Sequence, residues 1–160
     1  MSDATFVLHT FRFELAFQPE PLSGSGGGDA PVDGAFSECS GLEATMEPRV
    51  IQVGGHNLGA VQRAGPVTFG TVVLKRGISE GERLLRWFAR VTSGDYGYRC
   101  TVRIRLKAPS ENGELRTVLT YKLDRALPVK FKAADFNARS SEVGIEELHL
   151  VHEGLTLEEE

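Results

Sequence analysis

The chain has 160 residues, 41% hydrophobic and 25% charged, with a formal net charge of −4. This suits one domain able to bury a core without staples, and it excludes a disordered chain and a disulfide scaffold. Mild acidity argues against specific nucleic-acid binding, which needs a basic face. No run reaches the roughly 20 apolar residues of a membrane helix. The start, MSDATFVLHTFRFE, lacks a basic stretch followed by an apolar one, so no signal peptide and synthesis in the cytoplasm are expected.

Phe11, Phe13, Leu15 and Phe17 alternate with Arg12, Glu14 and Ala16, the period of a strand with one buried face. Residues 22–34, LSGSGGGDAPVDG, then read as a flexible glycine-rich surface insert. The insert has no Gly-Lys-Ser/Thr ending and is not a phosphate-binding loop. From Ala35 to Val53 two short extended pieces are predicted, broken at Ser40-Gly41, with Pro48 marking an edge or bulge. Gly54 to Gly65, GGHNLGAVQRAG, reads as a long connecting loop of a length that is often functional. Val67, Phe69, Thr71 and Val73 predict a strand that ends at Lys75-Arg76-Gly77.

One helix is predicted, from about Ser79 to Thr92. Ser79 and Glu82 form a capping box. Leu84, Leu85, Phe88 and Val91 recur at helical spacing with Trp87 beside the stripe, and Gly94 ends the helix. Cys100, Val102, Ile104 and Leu106 then alternate with Thr101, Arg103 and Arg105. Glu111 to Gly113 make a hairpin turn. A strand from Leu115 to Leu123 follows, then an interruption at Ala126-Leu127-Pro128, then a strand holding Val129 and Phe131. Val143 to His152 changes phase, from Val143 and Ile145 to Leu148 and Leu150, which suggests a β-bulge. Residues 156–160 read as an acidic tail. The expected fold is mainly β: a barrel or sandwich of about seven or eight strands with one flanking helix.

Few groups point to chemistry. The spacing of His9, His56, His149 and His152 matches no zinc motif. There is no nucleophile elbow, and Glu146 and Glu147 fall on opposite strand faces. Cys39 and Cys100 are read as isolated reduced thiols. No catalytic, cofactor or metal site is expected. Arg99, Arg103 and Arg105 share one strand face, as a stripe toward a channel, a cargo or a neighbouring subunit, or as a solvated face that discourages edge pairing.

Three blocks carry a family resemblance. FSECSGLEATMEPRVIQVGGHN (Phe36 to Asn57), LKRGISEGERLLRWF (Leu74 to Phe88) and RALPVKFKAADFNARSSEVGIEELHLVHEGL (Arg125 to Leu155) resemble, in order and spacing, the tube proteins of contractile phage tails and of phage-like extracellular contractile injection systems. They are more distantly similar to the Hcp tube protein of type VI secretion. The resemblance implies a β-barrel subunit, rings of six, and stacking into a hollow tube driven by sheath contraction. It implies as partners the chain itself, a sheath protein, baseplate or spike and terminator proteins, and cargo in the lumen. The insert at 22–34 departs from the family pattern and leaves open a diverged copy near the baseplate. Outside this class, a monomeric ligand-binding β-barrel is the alternative. Stacking needs a projecting element, and Gly54, Gly55, His56, Asn57, Leu58 and Val61 are the candidate: glycines let the loop extend, and Leu58 and Val61 can be buried on assembly. Arg99, Arg103 and Arg105 are the candidate lumen or interface stripe.

Overall fold

A computed structural model describes residues 8–10, 12–21, 35–55, 57–78, 80 and 83–159. The insert at 22–34, Phe11, His56 and the capping pair Ser79/Glu82 lie outside the described residues. In chain order the elements are β1 (Phe13–Pro21), β2 (Glu38–Ser40), β3 (Ala44–Met46), β4 (Arg49–Ile51), β5 (Val61–Arg63), β6 (Val67–Phe69), β7 (Val72–Gly77), α1 (Arg83–Thr92), β8 (Tyr98–Pro109), β9 (Leu115–Lys132), β10 (Ile145–Val151) and β11 (Gly154–Glu158). The fold is mainly β with one helix, as expected.

Seven strands form one antiparallel sheet in the order β1-β8-β9-β10-β7-β2, with β11 also paired to β9. Among the described strands the path does not close on itself. β9 makes the bend. Its first part pairs with β11 through Thr120 to Asp124, and its last part pairs with β10 through Leu127 to Lys132. Between them Arg125 takes a φ of 50°, a left-handed kink that lets one strand serve two layers. The two strands read on either side of Ala126-Leu127-Pro128 are therefore one 18-residue strand. Val129 is the extra residue opposite the His149/Leu150 step of β10, so the expected bulge sits on β9. The 156–160 tail is drawn into the sheet as far as Glu158.

The core lies between the two layers. Leu15 and Phe17 of β1, Cys100, Val102 and Ile104 of β8, and Leu123 and Ala126 of β9 meet Val72 and Leu74 of β7 and Leu148 and Leu150 of β10. Alternation puts β1 and β8 in the expected phase. On β7 the period is right and the face is not. Val72 and Leu74 are buried and Val73 is only half-buried, because Gly70 and Thr71 separate β6 from β7 and reset the phase. β10 keeps one phase throughout: Glu146, Leu148 and Leu150 point inward and Ile145 outward. The apparent slip arose because a glutamate occupies the first inward position.

α1 covers the core with Leu84, Trp87 and Val91. Trp87 belongs to the buried stripe rather than beside it, and meets Phe17 edge-on with ring centroids 5.6 Å apart. Leu85 is exposed and Phe88 half-buried, so the stripe is turned by one residue from the reading above. After Gly94, Arg90 stacks over Tyr98 at 3.9 Å and its Nε donates to Asp95 Oδ2 at 2.9 Å.

Candidate assembly surfaces

Between β2 and β7 the chain leaves the sheet and returns. β3 pairs with β6 and β4 with β5, so residues 44–69 form one long hairpin arm. Gly41 at its root has a φ of 85°, and a side chain there would collide with the Thr71 carbonyl. At mid-length a side chain on Gly65 would strike the Glu47 carbonyl, where Glu47 N–H donates to Pro66 O at 3.0 Å. Prolines at 48 and 66 interrupt the ladder there. The loop read from Gly54 to Gly65 is thus only a tip over residues 52–60; Val61–Arg63 is the returning strand. All residues of β3, β4 and β5 are exposed. Leu58 at the tip is 97% exposed, and Val50, Val53 and Val61 of the arm are about half exposed. A two-stranded ribbon without a packing partner is marginal in water, and contiguous exposed apolar groups mark an interaction site. Gly54, Gly55, Asn57, Leu58 and Val61 are all placed on this arm.

The arginine row lies on the outer face of β8, and it is not bare. Arg103 donates from Nε to Glu158 Oε2 and from Nη1 to Gln18 Oε1, both at 2.8 Å. Arg105 Nη1 is 3.9 Å from Glu14 Oε1, which Lys107 Nζ also approaches at 2.9 Å. Thr101 donates its hydroxyl to Glu20. The Arg103 hydrogen bond holds the Glu158 carboxyl below its usual range. Carboxylates of β1 and β11 therefore pair with Arg103 and Arg105, while the buried Arg99 Nε has no hydrogen-bond partner among the described residues. Sequence reading missed this because Gln18, Glu20 and Glu158 are far from β8 in the chain and antiparallel register brings them alongside.

Other polar groups are structural. Arg76 Nε donates to Glu146 Oε1 at 2.5 Å inside the fold, with the guanidinium 5.8 Å from the Phe36 ring. Glu147 faces outward to His149 Nε2 at 2.5 Å. Cys39 and Cys100 are free thiols, each pushed up to about 12 chiefly by burial, which suppresses the reactive thiolate. Among the described residues no cluster of three metal-ligating side chains exists, and no helix is long and apolar enough to cross a membrane.

The family model described as T4-like virus tail tube protein gp19 matches residues 9–156. The chain belongs to this tail tube family. It is a structural tube subunit. Among solved structures it is similar to a chain of the anti-feeding prophage baseplate, at 29% identity and a TM-score of 0.74, covering 98% of this chain and 97% of that one. A chain of the sheath-tube complex of an extracellular contractile injection system aligns with a TM-score of 0.75 at 16% identity, covering 97% and 93%. Hcp1 from Flavobacterium johnsoniae aligns with a TM-score of 0.54 at 14% identity, covering 91% and 93%. The last two show a shared fold. A comparison with curated protein sequences found no match. For a tail tube subunit, the arm and the open sheet edges are the parts that an isolated chain leaves unsatisfied.

Proposed function

We propose that this subunit closes into six-membered rings that stack head to tail into a hollow tube inside a contractile sheath, with a baseplate at one end and a terminator at the other. The exposed apolar arm carries the reading. A hairpin with Leu58 almost fully in water gains stability by docking on another subunit. Open edges support ring closure: β1, nine residues long, pairs only with β8 among the described strands, and a heterologous contact repeated around a ring removes such edges. Similar chains occur in structures titled as a sixfold-symmetrised baseplate, a sheath-tube complex and a tube-terminating cap. The face holding Arg99, Arg103 and Arg105 suits the lumen, because Arg103 and Arg105 are already paired with carboxylates of the same chain.

Leu58→Asp is expected to leave rings intact and abolish tubes in negative-stain electron microscopy. Long tubes from this variant would remove the arm from the stacking contact.

A second reading places the subunit in a ring next to the baseplate instead of along the shaft. One observation favours it: identity is 29% to the baseplate-structure chain and 16% to the sheath-tube chain. Copy number per particle separates the two. A shaft subunit scales with particle length, whereas a baseplate-proximal subunit stays at the count of a ring or two.

A further inference from the structure

The arm needs a receiving surface, and the opposite end of the same layer supplies one. The arm leaves the sheet where β7 begins, at Val72, opposite Leu150. At the other end of β7, Gly77 pairs with Ile145, and the loop of residues 133–144 closes that edge. Six residues of β7 at about 3.3 Å each separate the two ends by roughly 20 Å. A protomer that stacks head to tail must carry the two halves of its contact on opposite ends.

The arm's chemistry is specific. Arg49 lies directly opposite Arg63, and Ile51 opposite Val61. Alternation places these four on one face, two like charges beside two β-branched groups. Like charges directly opposite each other destabilise a ladder, and neither arginine has an ion pair among the described residues. Such a face calls for carboxylates beside apolar groups. The 133–144 loop presents that pattern twice, as Asp135-Phe136 and Glu142-Val143. Phe136 is 89% and Val143 75% exposed. Asp135, Glu142, Val143 and Ile145 line a 520 Å³ cleft at this edge. Of the other charges lining it, Lys75 is held by Glu38 at 3.2 Å, Glu147 pairs with His149, and Lys132 sits opposite Glu147 in register.

We propose that the Arg49/Ile51/Val61/Arg63 face of one subunit docks on the Asp135-Phe136 and Glu142-Val143 edge of a second copy in the next ring. This rests on the stacking role of the arm proposed above. It assigns a receiving surface that contains none of the arm's residues.

Charge exchange tests it. Arg49→Glu with Arg63→Glu in one protein, and Asp135→Arg with Glu142→Arg in another, should each yield rings and no tubes in negative-stain electron microscopy with light scattering. The protein carrying all four substitutions should recover tubes. All four sites are exposed, and ring formation reports correct folding. Wild-type tube length from either charge-reversed pair, or no recovery in the combined protein, overturns the pairing. Leu58→Asp assayed in parallel separates the levels. If it forms tubes, the arm does not stack rings at all. If it blocks tubes while both charge reversals form them, the arm stacks rings but not through this charged pairing.

Discussion

At the scale of single residues, His152 shows how a buried polar group ties the fold to pH. It sits between β10 and β11, its Nδ1 donating to Gly154 O at 2.9 Å, while its buried Nε2 has no partner among the described residues. The ring meets Phe69 of β6 at a tilt, with centroids 5.1 Å apart, against the root of the arm. Burial lowers its pKa below 6.5, against the opposing pull of the Gly154 carbonyl and the nearby Asp124 carboxylate. The fold therefore holds the neutral ring. As pH falls below about 6.5 the unfolded chain gains a proton that the fold refuses, so stability is lost until pH reaches the lowered folded value. Melting temperature is expected to fall more between pH 7.5 and 5.5 in the wild type than in His152→Gln. Equal drops would mean that His152 is not the group responsible. Trp87 gives a second residue-level test. Trp87→Ala should cost about 3–5 kcal/mol, and Phe88→Ala, at a half-buried site, well under that. Chemical denaturation of both variants ranks them, and a larger loss at Phe88 would contradict the observed helix face.

At the scale of elements, legibility in the sequence followed the reach of the interactions. β1, β8 and the Ser110–Glu114 turn could be read because alternation and turn chemistry are local; Gly113 N–H donates to Ser110 O at 2.9 Å, as a tight turn requires. The helix was legible as a helix, but its buried face was turned by one residue, since Leu84, Trp87 and Val91 fit helical spacing as well as the stripe through Phe88 does. The unity of β9 was hidden because Pro128 argues against a central strand. It is accommodated beside the Val129 bulge, and Arg125 supplies the kink. Residues 44–69 looked like loops and fragments because a ribbon whose strands β3, β4 and β5 are fully exposed shows little core periodicity. That lack of periodicity fits the proposal that this segment docks on another subunit. Glu146 and Glu147 were read as facing opposite ways without saying which one turns inward, because the place of Glu146 in the core depends on Arg76, seventy positions away.

At the scale of the whole molecule, the subunit is a bent sheet that, among the described strands, is open at β1 and β2, with an apolar arm at one end and an apolar, acid-flanked loop at the other. On its polar face Arg103 and Arg105 are already paired within the chain. These features are unsatisfying for a monomer and coherent for a repeating unit, because each open edge and each exposed apolar group can be covered by an identical neighbour. The most direct test is negative-stain electron microscopy of the purified wild-type protein, with light scattering at the same concentrations. The predicted result is sixfold rings and hollow tubes that lengthen as concentration rises. A strict monomer at the highest attainable concentration would contradict self-assembly through these surfaces.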